Sequence, residues 1–198
     1  MEKKILVTPG ECCLHIIDPH RSLMDHIYGA EKVVRVMELM FACAKILDIP
    51  IVASTQYKKG LGPFVAPIQT LVDTHDIPCQ DKLEFSAYKN GATADMMKRV
   101  AGDVSTVILI GVETHICIYQ SAAALLEMGY QPWIVADGVS SRSQESHVLG
   151  LQRLQALGAV VGPAEMIIYE LLGKAGTPQF KQVLQHIISF DKKEQSDK

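Results

Sequence analysis

Four residue types capable of covalent or proton-transfer chemistry recur at the ends of apolar runs in this chain. The most telling is the thiol in GVETHICIYQ, residues 111–120, where Cys117 follows directly on a β-branched run. It falls one turn into a stretch that reads as a helix. Unpaired N–H groups and the helix dipole at such a start favour an anion, and so favour a thiolate. The same N–H groups can hold an oxyanion that develops when a thiol attacks a carbonyl. A thiolate also needs a base or a cation beside it. Asp18, after the apolar run CCLHII, and Lys82, in DKLEFSAY, lie in loops that could meet it, and His20 and His115 are the rival bases. Spacing alone leaves a second reading open, because buried cysteines in helices are common and chemically silent.

The elements that must position these residues alternate. Strand-like runs span residues 12–18, 49–54, 105–111, 131–136 and 159–161, and residues 79–86 are extended or looped. Helical periodicity covers 29–47, 64–72, 92–101, 114–128, 143–157, 163–172 and 178–190, and a loop rich in glycine and charge covers 55–63. Strands separated by helices of this length imply βαβ units with right-handed crossovers. The fold expected is one α/β domain over residues 1–190: a doubly wound, Rossmann-like, mostly parallel six-stranded sheet with helices on both faces. The charged segment 191–198 is expected to be a disordered tail. In such sheets ligands bind beyond the carboxyl ends of the strands. That rule selects Asp18 and His20, then Thr55, Gln56 and Tyr57, then Val112 to Cys117, and finally Asp137 to Ser143.

Composition narrows the function classes. The 198 residues are 48% hydrophobic and 21% charged, and 19 Lys and Arg stand against 22 Asp and Glu, a net charge of −3. That balance gives no basic face for nucleic acid. No apolar run approaches the roughly 20 residues of a membrane helix, and the apolar stretch near the N-terminus is too short for a signal peptide. Cys12, Cys13, Cys43, Cys79 and Cys117 form no CxxC pair and no disulfide framework, so free thiols in the cytoplasm are expected.

Three stretches together, IIDPHRSL, DKLEFSAY and GVETHICI, resemble the isochorismatase-like cysteine hydrolases. TQYKKGLGP, DGVSSRSQ and GTPQFKQV extend the resemblance to the branch called isochorismatase domain-containing proteins, over about residues 13–188. The resemblance implies a catalytic triad of Asp18, Lys82 and Cys117. Asp18 would take the thiol proton, Lys82 would lower the thiol pKa and orient the aspartate, and Cys117 would attack a small amide, carbamoyl or related electrophile. It also implies a non-proline cis peptide at Val112–Glu113, which aims N–H groups at an oxyanion, and a homo-oligomer, dimer or larger. His20, Gln56, Tyr57, Phe85 and His115 are expected to wall a small-molecule pocket.

Two departures from the family qualify this reading. Pro19-His20 stands where the family more usually has methionine-glutamine, which puts a titratable group in place of an amide. STQYKKGLGP lacks the Asp-x-His motif by which nicotinamidase-type relatives bind a metal, so neither metal nor cofactor is expected. The alternatives are a catalytically weak member that binds a metabolite or a protein, and a redox-sensing thiol.

Overall fold

The computed structural model describes the backbone of residues 6–196 and the side chains of residues 6–193. Residues 1–5, with the lysines near the N-terminus, lie outside the described residues, as does the end of the charged tail. The first strand, β1 (Cys12–Ile17), is buried along its whole length and is followed by a short helix, α1 (Arg21–Met24). Helix α2 (Ala30–Ile46) leads to β2 (Ile51–Gln56), and then to α3 (Lys58–Leu61), α4 (Ala66–Thr74) and β3 (Cys79–Lys82). Next come α5 (Gly91–Ala101) and β4 (Thr106–Val112), then a π-helical turn (Thr114–Ile118) that opens α6 (Tyr119–Glu127). The chain finishes with β5 (Gln131–Ser140), α7 (Gln144–Leu157), β6 (Val160–Gly162), α8 (Ala164–Leu172) and α9 (Pro178–Ser196).

All six strands are parallel, in the order β3-β2-β1-β4-β5-β6. The order reverses between β1 and β4, so a crevice opens at the carboxyl ends of those two strands. The strand period of two sends alternate residues of β1 to opposite faces. Leu14 and Ile16 join α2, α4, α8 and α9 in one apolar layer, while Cys13 and Ile17 join α5 and α6 in the other.

The junction of β1 and β4 explains one glycine. Gly111 sits opposite Ile17 with φ +126°, and a Cβ there would lie 1.9 Å from the Ile17 carbonyl oxygen. Only glycine lets the two strand ends approach this closely.

Two expectations need correction. Strand β5 does not stop at Ala136. A register shift against β4, between Leu109 and Gly111, carries it through Asp137-Gly138 to Ser140, beyond the expected strand end. Residues 191–196 are not a disordered tail, because α9 continues to Ser196. The apolar faces of α8 and α9 are largely used within the chain, with Ile167, Ile168, Leu171, Val183 and Ile187 buried in the first layer.

Candidate active site

Asp18 leaves β1 with φ +55°, a left-handed conformation that aspartate tolerates better than most residues. Its backbone N–H stays tied to the sheet through the Ser54 carbonyl, 3.0 Å away. Lys82 ends β3, in register with Gln56. The Lys82 ammonium donates to Asp18 Oδ2 at 2.7 Å and to Gln56 Oε1 at 2.6 Å, and reaches the Phe85 carbonyl at 3.4 Å. Both charged side chains are fully withdrawn from solvent. Such a pair is stable only while both partners are present.

Cys117 belongs to the π-helical turn after β4 and is 7% exposed. The Val112–Glu113 peptide that precedes the turn is cis. Burial, and then the negative charge of Asp18, push the thiol up to about 12, against the pull of the Lys82 ammonium. The expectation of a thiol with a depressed pKa is therefore corrected. Asp18 moves the same way: burial raises its carboxyl to about 6, while Lys82 and a hydrogen bond with the Cys117 thiol oppose the rise. Oδ1 of Asp18 is buried and has no hydrogen-bond partner among the described residues. The two groups thus form a coupled pair in which the carboxyl gives up its proton first, and burial and the resulting carboxylate hold the thiol proton back.

The helix start also differs from expectation. The N–H groups of Ile116 and Ile118 both donate to the Glu113 carbonyl, so neither is free to meet an oxyanion. Glu113 is nearly buried, and its carboxylate accepts from the backbone N–H and the Nε of Arg142 at 2.9 and 3.1 Å. The Arg142 partner is therefore an acid of this same chain. The residue that follows β5 supplies further support, with Ser141 Oγ 2.8 Å from His115 Nδ1. Gly150 lets α7 press on the turn, since a Cβ there would lie 3.0 Å from Thr114.

The other residues singled out in the sequence divide. Gln56 is half-buried and holds Lys82. Phe85 is exposed, and it is its carbonyl rather than its ring that meets the lysine. Tyr57 is exposed at the rim, and His115 is half-buried. His20 corrects the expectation of a pocket wall or base: it is fully buried, and both ring nitrogens are taken up by the backbone. Asp81, beside Lys82, ties down the following loop by accepting from Thr55 Oγ1 and the Lys58 N–H. His15 is a core histidine that bonds the Tyr88 hydroxyl at 2.7 Å and is held neutral by burial. Among the described residues, no group of three or more His, Cys, Asp or Glu side chains is arranged to hold a metal.

The role of Gln56 in holding Lys82 was not anticipated. Its only signal is its place at the carboxyl end of β2, which does not say whether it faces substrate or a neighbouring side chain.

The isochorismatase domain family matches residues 12–166. This chain belongs to the isochorismatase family. Isochorismatase domain-containing protein 2 of Xenopus laevis is 32% identical over 86% of the chain and 80% of its own length. The secreted isochorismatase effector Isc1 of Phytophthora sojae is 31% identical over 88% of the chain and 83% of its own. Among solved structures, the MAR1 ribonuclease of Caenorhabditis elegans superposes with a TM-score of 0.84 at 30% identity, covering 92% of both chains. The nicotinamidase of Staphylococcus aureus shares the fold, with a TM-score of 0.67 at 17% identity over 79% of this chain and all of that one. The chain is thus a member of the isochorismatase-like hydrolases, with the α/β fold of that family. No helix among the described residues is long and apolar enough to cross a membrane.

Proposed function

We propose that the chain is a cysteine hydrolase of small amides, carbamoyl compounds or related electrophiles, with Asp18, Lys82 and Cys117 as its working groups and no cofactor. The observation that carries this reading is the position of the Asp18 carboxylate. It is buried, anchored on one oxygen by the Lys82 ammonium, and left with the other oxygen unpartnered, while its charge acts directly on the Cys117 thiol. A carboxylate so placed is a general base whose proton is already within reach.

The reaction runs in two halves. The Cys117 sulfur attacks the substrate carbonyl carbon as its proton passes to Asp18, giving a tetrahedral adduct. Asp18 returns that proton to the departing nitrogen, the C–N bond breaks, and a thioester remains on Cys117. Water then attacks the thioester and loses a proton to Asp18. The C–S bond breaks, the acid leaves, and the proton returns to sulfur. Lys82 keeps Asp18 oriented throughout, and its charge steadies the thiolate.

A catalytically weak, metabolite-binding member is the second reading, favoured by the thiol pushed up to about 12. A panel of amides, ureides and carbamoyl compounds, with an oligoribonucleotide added because of the Caenorhabditis relative, separates the two. Turnover that ends with Cys117→Ser, together with an acyl adduct on Cys117 by mass spectrometry, supports the hydrolase. Saturable binding of a panel compound without turnover or adduct supports the alternative.

The protein also fits a cytoplasmic homo-oligomer. Its five cysteines are free, and Leu149, Met166 and Tyr169 stand exposed on α7 and α8.

A further inference from the structure

The Pro19-His20 pair, where the chain departs from its family, occupies a defined place in the fold. The segment after β1 runs antiparallel to the one after α3, bridged at His20 and Phe64. Arg21 N–H donates to the Pro63 carbonyl, Val65 N–H to the Pro19 carbonyl, and Ser22 Oγ to the Leu61 carbonyl. At the centre of this seam the His20 ring spans two different pieces of backbone. Nδ1 lies 2.7 Å from the Gly62 carbonyl oxygen, and Nε2 lies 2.8 Å from the Gln56 nitrogen.

These two contacts fix the protonation state without further assumption. A carbonyl oxygen only accepts, so Nδ1 must carry the hydrogen. A backbone N–H only donates, so Nε2 must be bare. The ring is therefore neutral and in one tautomer. An imidazolium carries hydrogen on both nitrogens and would set Nε2–H against the N–H of Gln56.

Gln56 is the residue whose side-chain oxygen, 2.6 Å from the Lys82 ammonium, holds that ammonium beside Asp18. We propose that His20 is a positioning residue, a neutral histidine that ties the 57–63 loop to the end of β2 and thereby fixes Gln56, Lys82 and Asp18 for proton transfer with Cys117. The proposal rests on the hydrolase reading above for its effect on Cys117, but not for the ring's tautomer.

The charges around the ring agree with it. Burial holds His20 below the usual histidine range, helped by the cations Lys82 and Lys58 and opposed by the Gly62 hydrogen bond and by Asp81. Acidification thus attacks the site in two places, at the Asp18–Cys117 pair and at the His20 tie.

The test combines nitrogen-15 NMR of the full chain with the rate of Cys117 alkylation by iodoacetamide below pH 7, over the range in which circular dichroism shows the fold intact. NMR should find His20 with hydrogen on Nδ1 and a bare Nε2. Where both Asp18 and His20 must be deprotonated, the rate falls about 100-fold per pH unit, against about tenfold when one suffices. His20→Gln keeps a donor and an acceptor but cannot titrate, so it should reduce the steeper fall to the shallower one and keep most of the rate at pH 8. An Nε2–H tautomer in the wild type overturns the proposal whatever Cys117 does. A His20→Gln profile that superimposes on a wild-type profile with an acid limb also overturns it, and leaves the hydrolase reading standing. A wild-type profile with no acid limb removes the hydrolase reading and the positioning role together.

Discussion

Cys43, on the buried face of α2, and Cys117, in the turn after β4, are both buried thiols pushed up to about 12. The causes differ. For Cys43, burial in an apolar layer is the whole of it. For Cys117, burial is joined by the Asp18 carboxylate and opposed by the Lys82 ammonium and a hydrogen bond from the Glu113 backbone. The same shift therefore describes an inert thiol in one region and a thiol beside its own base in the other. What distinguishes a nucleophile here is the acceptor waiting for its proton, and a low pKa is not required.

That contrast predicts opposite outcomes for substitutions in the two regions. The largest effect belongs to Asp18→Asn, which removes the base and also leaves the buried Lys82 ammonium without its counter-charge. Turnover of whichever panel compound is a substrate should fall by about 10²–10⁴-fold. Steady-state kinetics would break the comparison if the variant stayed within a few-fold of wild type.

Lys82→Met comes next, with its main effect on stability. It strands the buried Asp18 carboxylate, and breaking such a pair costs about 3–5 kcal/mol. Chemical denaturation should show that loss, and Asp18→Asn/Lys82→Met should recover part of it without recovering turnover. If the double variant is no more stable than Lys82→Met, the ion pair is not what the lysine serves.

Cys43→Ala is the smallest, at about 1 kcal/mol of stability. Turnover and Cys117 labelling should stay within twofold of wild type. A larger change in either would mean that the α2 layer and the crevice are coupled.

How much of this was legible in the residues follows from where each signal originates. Burial and alternation set the sheet, because a β-branched run such as STVILIG has few other places to go. The carboxyl-end rule then brought Asp18 and Cys117 together across the β1/β4 switch point, loop placement offered Lys82 as the cation, and the family resemblance joined the three as a triad. The end of β5 was missed because Asp137-Gly138 reads locally as a turn, whereas the register shift on β4 holds it in the sheet. The role of His20 was misread for a related reason. A histidine near a site looks like a ligand or a base, and only tertiary structure reveals that the Gly62 carbonyl and the Gln56 N–H occupy both its nitrogens. The thiol pKa failed similarly, since a helix start predicts a depression that burial and a neighbouring carboxylate reverse.

The central claim is that Asp18 and Cys117 share one proton, and the rate of Cys117 alkylation by iodoacetamide from pH 4.5 to 9.5 (roughly the span between the ordinary carboxyl and thiol ranges) tests it most directly. Mass spectrometry would separate Cys117 from Cys79, the exposed thiol raised to about 11, which serves as the internal control. The account predicts that Cys117 labelling rises through about pH 6 and then holds level, while Cys79 climbs about tenfold per pH unit. A Cys117 profile that climbs in parallel with Cys79, with no plateau and no change in Asp18→Asn, would contradict it.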